Sequence, residues 1–198
     1  MTRSCTIRRL AALLACALLL VVLSGGASAE TSATRLRVAP AVSELEVGEV
    51  VTLDVRVEDV THLYGYQVYL DYDPALLQVV DAAGEPANQV ELGAFFAADF
   101  VVSNAVDAVQ GRIAVETANM GSDPSSGSGV LFTLRLKGLT RGVASVRIDD
   151  GAGASILADT DGMAIPYGAQ SANLYVGIQA PEPSSTRLCL PIVVGGTR

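Results

Sequence analysis

Apolar and polar residues alternate with a period of two along most of the chain beyond residue 33. Val51, Leu53 and Val55, for example, are separated by Thr52 and Asp54. The same alternation recurs in residues 66–72, 112–117, 130–137, 143–148 and 174–176. It places one face of each strand in a core and the other toward water. No stretch of this region has a convincing apolar period of 3.6 residues, so the pattern predicts an all-β fold.

Short turn signals separate the alternating runs. They combine Gly or Pro with a polar neighbour, as in Asp73-Pro74, Gln110-Gly111 and Asp161-Gly162. The segment Gly121–Gly129 is rich in Gly and Ser and predicts a long, flexible loop between two strands. Eight or nine short strands in one sheet would leave an apolar face wet. The sequence therefore predicts a single β-sandwich of about nine strands.

The two ends of the chain differ in composition from this central region. Residues 1–29 combine three arginines, an apolar run and a small-residue Ala-x-Ala end, which is typical of a secretory signal peptide. An uncleaved anchor is the alternative, although the run of about 14 residues is short for a bilayer. Residues 180–198 predict a Pro/Ser linker and a short apolar tail, either frayed or used for attachment. We expect a folded domain over residues 30–179 and a secreted or cell-surface protein.

Charge and cysteine content narrow the function classes. After the expected cleavage, 10 Lys and Arg remain against 21 Asp and Glu, a net charge of −11. Such an acidic surface argues against nucleic acid as a partner. Only Cys189 remains, so no internal disulfide is expected, and the proline-interrupted tail predicts no membrane span in the mature chain.

Several segments, in order along the chain, resemble the cohesin family, whose modules bind dockerin modules in cellulosome-type assemblies. Residues 63–80 read Leu-Tyr-Gly-Tyr-Gln-Val-Tyr-Leu-Asp-Tyr-Asp-Pro-Ala-Leu-Leu-Gln-Val-Val and match the family's Tyr-Asp-Pro block. Further similarity lies in residues 36–38, 46–55, 111–115, 129–136 and 172–176. The resemblance covers residues 34–178. It implies a nine-stranded sandwich with jelly-roll-like topology and a non-catalytic role.

The resemblance also implies where a partner binds: on one sheet face, called here the plateau, formed by the third, fifth, sixth and eighth strands of that family. Alternation from the apolar residues 66–72 makes Gly65, Gln67 and Tyr69 face outward. The parity of the fifth strand stays open, because Phe100, Val101 and Val102 are all apolar. The candidate partner-binding residues are Gly65, Gln67, Tyr69, Val102, Asn104, Arg112 and Glu116.

The sequence carries no convincing catalytic or metal site, and no cofactor is expected. The single histidine, His62, has no Gly-x-Ser-x-Gly elbow to accompany it and is predicted to be solvated in a loop. The motif Asp159-Thr160-Asp161-Gly162 is a fragment of a calcium loop, but Leu157 and Gly168 stand where acidic ligands are needed. It predicts a tight turn, with a weak, irregular Ca²⁺ site at Asp159 or Asp161 left open.

Two other functions remain as alternatives to a dockerin-bearing protein partner. The first is a carbohydrate-binding module that takes a polysaccharide. The chain has no Trp, and its exposed Tyr residues form no obvious strip for stacking on sugars. The second is a purely structural surface domain. A weakly charged, apolar plateau favours a protein partner, and a row of exposed aromatic rings favours a sugar.

Overall fold

The computed structural model describes residues 33–151 and 154–182. Within them the chain forms fourteen strands and no helix. The strands are β1 (Arg35–Ala39), β2 (Val42–Leu45), β3 (Val50–Leu63), β4 (Gly65–Asp71), β5 (Leu77–Val80), β6 (Glu91–Leu92), β7 (Phe100–Asp107), β8 (Arg112–Ala118), β9 (Ser125–Gly138), β10 (Gly142–Ile148), β11 (Ile156–Ala158), β12 (Ala164–Ile165), β13 (Gly168–Gln170) and β14 (Ala172–Val176). Eight of them have five residues or more, which agrees with the expected number of main strands.

The strands form two sheets. The first sheet has the order β13-β1-β3-β9-β5, and β6 also pairs with β9. In the second sheet β7 pairs with β8, and β8 pairs with β4. The opposite edge of β4 is shared by β11, which continues to β12, and by β10, which continues to β14 and β2. The predicted all-β sandwich is confirmed.

The core lies between the two sheets and is built from the apolar positions of the alternating pattern. Val68, Val115, Leu136 and Leu174 have no exposed surface. At one point the alternation breaks, because Leu131 and Phe132 are consecutive and both fully buried. A register shift between β3 and β9 explains this: Val55 pairs with Phe132 and the next pair involves Val130, so Leu131 is an extra residue in its strand.

The Gly- and Ser-rich segment is only partly a loop, so the prediction for Gly121–Gly129 is wrong over its second half. β9 begins at Ser125, and Gly127 and Gly129 pair with β3. Ser126 and Ser128 accept hydrogen bonds from backbone N–H groups of β3, both at 2.9 Å. Serine hydroxyls therefore supply acceptors where two register shifts interrupt the ladder. Composition alone does not show this pairing.

Two of the three expected segments lie partly or wholly outside the described residues. The expected signal peptide, residues 1–29, lies outside the described residues. Of the segment 180–198, the structure describes only the first three residues. No helix in the described part of the chain is long and apolar enough to cross a bilayer. The segmentation of the ends stays a prediction.

Alkaline pH is expected to destabilise the fold through its buried tyrosines. Burial raises the pKa of Tyr66 to about 12 and also raises the pKa of Tyr72 above its usual value of 10.0. The folded state therefore holds these protons more tightly than the unfolded state. Their contribution to the free energy of unfolding is fully present below pH 10 and is lost as the pH rises toward about 12.

Denaturant titrations at about pH 8 and about pH 11 measure this effect, together with phenolate absorbance. The unfolding midpoint should be lower at the higher pH, and the difference should shrink in a Tyr66→Phe variant. Equal midpoints at both pH values, with all phenols titrating together near pH 10, would contradict the assignment.

Candidate partner-binding face

The outward side chains of β4 and β8 form the middle of the plateau. The two strands are antiparallel, with Gln67 opposite Glu116 and Asp71 opposite Arg112. Directly paired residues share a face of the sheet, and the residues between them, such as Val68 and Val115, are fully buried. The outward placement predicted for Gly65, Gln67, Tyr69, Arg112 and Glu116 is therefore confirmed.

Strand β11 extends the plateau beyond β4. Ile156 pairs with Gln67, and Ala158 pairs with Gly65, so both side chains lie on the plateau. The alternating pattern of the sequence does not predict this placement. Residues 156–158 are a three-residue strand, which is too short to show an alternating pattern.

A β-bulge sets the orientation of β7 on the other side of the plateau. Val101 pairs with the inward-facing Thr117, and Ser103 pairs with the outward-facing Glu116. Val102 is the extra residue between them and is 58% exposed. It borders the same surface depression as Gly65, so its predicted place on the plateau is confirmed.

Asn104 does not share this face, so its predicted placement on the plateau is wrong. It pairs with the fully buried Val115 and points to the inner side of the sheet. Its side-chain amide donates to the carbonyl oxygen of Val90 at 2.8 Å and accepts from the N–H of Val90 at 2.9 Å. The bulge at Val102 reverses the alternation that placed Val102 and Asn104 together.

One end of the plateau is a network of charged and hydrogen-bonding groups. Arg112 forms ion pairs with Asp71 at 3.1 Å and with Asp149 at 2.9 Å. Its guanidinium carbon lies 4.6 Å from the centre of the Tyr69 ring, a cation–π geometry. The Tyr69 hydroxyl donates to Oε1 of Glu116 at 2.6 Å. This bond to Glu116 is the main cause of a raised pKa for Tyr69, so the proton stays on the tyrosine.

The Arg112 side chain lies on the surface and also connects separate strands through its ion pairs. It joins β8 to Asp71 of β4 and to Asp149, which directly follows β10. The hydrogen bond with Asp149 raises the pKa of Arg112 above its ordinary value. Because the side chain is 39% exposed, water screens these ion pairs and their contribution to stability is modest.

Gln67 and Tyr69 hold the segment that precedes β11. The Gln67 side-chain amide donates to the carbonyl oxygen of Ala154 at 2.6 Å. The Tyr69 N–H donates to Oγ of Ser155 at 3.0 Å, and the Tyr167 hydroxyl donates to the carbonyl oxygen of Ser155 at 2.9 Å. These bonds fix the edge of the plateau on which Ile156 lies.

The other end of the plateau is a shallow apolar depression of about 260 Å³. Its plateau-side lining consists of Gly65, Gln67, Val102, Glu116, Ala118, Ile156 and Ala158. Gly65 has no side chain to fill the depression. A Cβ at this position would also be crowded, because it would lie 3.1 Å from the carbonyl oxygen of Thr117. Phe100, opposite Ala118 in the register and 52% exposed, adds an apolar ring at this end.

The other chemical candidates have structural roles. The Asp159 carboxylate accepts from the N–H groups of Asp161 and Met163, which confirms the predicted tight turn. His62, expected in a loop, lies in β3 with an exposed side chain. Among residues 33–151 and 154–182, no three His, Cys, Asp or Glu side chains are grouped so that they hold a metal ion.

The cohesin-domain family model matches residues 38–162, which include the whole plateau. This chain belongs to the cohesin family. Cohesins are non-catalytic, protein-binding modules, so the chain is not an enzyme. A search of curated proteins found no significant match.

Solved cohesin structures have the same fold at low sequence identity. A type II cohesin domain from the cellulosome of Acetivibrio cellulolyticus is 21% identical, with a TM-score of 0.63 over 72% of this chain and 95% of that one. A non-cellulosomal cohesin from Archaeoglobus fulgidus is 17% identical, with a TM-score of 0.57 over 73% and 91%. A chain of a type I cohesin–dockerin complex from Clostridium thermocellum is 14% identical, with a TM-score of 0.58 over 73% and 99%.

Proposed function

We propose that this cohesin binds a dockerin-type protein partner on its plateau. The observation that carries the proposal is the combination of an apolar depression with a polar network on one exposed sheet face. Protein interfaces have this layout, with an apolar centre that excludes water and a polar rim that orients the partner. Cohesins of similar fold have been crystallised in complex with dockerins.

The residues proposed to contact the partner are those the geometry brings together around the depression. They are Gly65, Gln67, Val102, Glu116 and Ile156, with Tyr69 and Arg112 at the polar end. Val102 and Phe100 are each more than half exposed. Large apolar side chains on a sheet face are stabilised by contact with a partner, because contact removes their surface from water.

A polysaccharide ligand is less compatible with this face. Flat carbohydrate sites use several exposed aromatic rings for stacking. Within the described residues of the plateau, Phe100 is the one aromatic ring more than half exposed, and the Tyr69 ring is covered by the Arg112 guanidinium. The geometry therefore favours protein over sugar.

We also propose that the protein works outside the cell, on the surface or in the secreted fraction. The support is the N-terminal pattern of residues 1–29 and the acidic composition of the remainder. The segment 180–198 would then be a linker with a terminal tail. N-terminal sequencing of the protein recovered from the culture medium or the cell surface tests the cleavage after Ala29.

Binding to recombinant dockerin modules from the same genome tests the main proposal. The purified protein is immobilised and each module is passed over it, with insoluble cellulose as a parallel ligand. Saturable one-to-one binding of at least one module is the expected result. Retention by cellulose with no dockerin binding would overturn the proposal and favour a carbohydrate-binding function.

A further inference from the structure

The chain leaves the sandwich at the end opposite the depression. Its last strand, β14, ends at Val176, which pairs with Gly142 of β10. Since β10 and β4 are antiparallel and pair only near Asp71, Gly142 lies beyond the Asp71 end of β4. The depression lies at the Gly65 end of the same strand. The region around Val176 is called here the exit end, and it consists of residues 46–49, 138–141 and 177–180.

Apolar side chains are exposed at the exit end. Val47 is more than half exposed, and Leu139 is more than one third exposed. Their two turns are adjacent, because the Gly48 N–H donates to the carbonyl oxygen of Gly138 at 2.7 Å. Val47 also lies beside the departing chain, since a Cβ at Gly177 would be 3.7 Å from its Cγ2. The chain therefore passes next to an apolar surface that water reaches.

A cavity of about 350 Å³ lies at the same end and carries negative charge. Its lining combines the apolar side chains of Leu45 and Ile178 with three carboxylates, those of Glu44, Glu46 and Glu49. No Lys or Arg is among its described lining residues. None of the three glutamates forms an ion pair within the described part of the chain. The exit end thus offers apolar surface together with negative charge that no ion pair balances.

The sequence that follows has the matching chemistry. Residues 183–198 lie outside the described part of the chain. Among them, Arg187 is followed by an uncharged, apolar run, Leu188-Cys189-Leu190-Pro191-Ile192-Val193-Val194. Residues 187–194 are called here the tail segment.

The tail segment begins within reach of the exit end. The Ala180 N–H donates to Oε1 of Glu44 at 2.7 Å, so the chain still lies beside the cavity two residues before Glu182. Arg187 comes five residues after Glu182. An extended chain spans at most about 3.6 Å per residue, so Arg187 lies within roughly 18 Å of Glu182.

We propose that the tail segment binds to the exit end of its own chain, with its apolar side chains on Val47 and Leu139 and Arg187 beside the glutamates of the cavity. Contact removes apolar surface of both parts from water, and the guanidinium supplies the cation that the carboxylates lack. The short connection keeps the effective concentration of the segment high, which favours it over the same segment of a second copy. The docking is independent of the proposed function, because the exit end and the depression lie at opposite ends of the sheet.

Cys189 provides a direct probe of this docking, because no other cysteine follows residue 29. The test measures the rate at which a maleimide alkylates Cys189 in the mature protein, residues 30–198, and in a synthetic peptide of residues 183–198. A bound segment shields the thiol, so that alkylation proceeds only from the open fraction. We expect alkylation of the wild-type protein to be at least about tenfold slower than that of the peptide.

Two variants test the two kinds of contact. Val47→Gln removes apolar surface without adding a charge and should raise the alkylation rate by at least about fivefold. Arg187→Gln should also raise the rate, and its effect should shrink at about 0.5 M salt, where charges are screened. Val102→Gln is the matched control, because Val102 is exposed to a similar extent but lines the depression at the opposite end. Its alkylation rate should equal that of the wild type.

Three results would overturn the docking. The first is alkylation of the wild-type protein at the rate of the peptide, and the second is equal rates for the wild type and Val47→Gln. The third is protection that appears only as the protein concentration rises, because the segment would then bind a second copy. Binding of a dockerin module to the plateau is measured separately, so none of these results bears on the proposed function.

Discussion

Replacing Val102 by arginine is expected to weaken partner binding by more than about 100-fold, the effect of losing a central interface residue. Val102 is the bulged residue of β7, 58% exposed, and it forms one wall of the depression. An arginine there places a long cationic side chain over the apolar surface. Both the shape of the depression and its exclusion of water are lost.

Val143→Arg is the matched control for this variant. Val143 lies on β10 of the same sheet, is 54% exposed, and is not part of the depression. The same change should leave the affinity within about twofold of the wild type, as expected for a residue outside an interface. Equal losses at the two positions would show that the effect of the substitution is not specific to the depression. Circular dichroism of both variants checks that they are folded.

Truncating Phe132 to alanine is expected to lower the free energy of unfolding by about 3–5 kcal/mol. The side chain is fully buried between the sheets. Its ring stacks against that of Tyr66 with centroids 6.5 Å apart, and Tyr66 also meets Phe96 edge-on at 5.4 Å. Removing the ring leaves a cavity in this aromatic cluster, which rigid strands on both sides prevent from closing.

Denaturant unfolding of Phe132→Ala and of Val109→Ala measures this prediction. Val109 is 84% exposed in the turn after β7, so its truncation should change the free energy of unfolding by less than about 0.5 kcal/mol. A loss below about 1 kcal/mol for Phe132→Ala would mean that the aromatic cluster is not the centre of the core.

Alternation along the sequence was sufficient to place the side chains of β4 and β8. Both strands pair without interruption over seven residues, so inward and outward positions follow directly from parity. Because of this regularity, the outward positions of Gln67, Tyr69, Arg112 and Glu116 can be predicted from the sequence alone. The resemblance to cohesins then indicated which of the two sheets carries the plateau.

Irregular pairing explains what the sequence analysis missed. The bulge at Val102 reverses the parity of β7, so Asn104 turns inward to bind Val90. Glycines in β9 pair with β3 although their composition is typical of a loop. Bulges depend on pairing between segments that are distant in sequence. A local pattern of apolar residues therefore does not predict them.

The contacts of Arg112 were also beyond sequence reasoning. Parity placed it on the plateau, but its partners come from β4 and from Asp149, 37 residues further along the chain. Long-range ion pairs depend on the topology of the sheet rather than on local spacing. The same holds for Ile156, whose place in the depression follows from its pairing with Gln67.

Calorimetric titration of the purified wild-type protein with a dockerin module from the same genome tests whether the plateau binds such a partner. We expect saturable binding with one module per cohesin, lost in Val102→Arg and retained in Val143→Arg. Absence of binding to every dockerin module of that genome, or binding unaffected by Val102→Arg, would contradict this expectation.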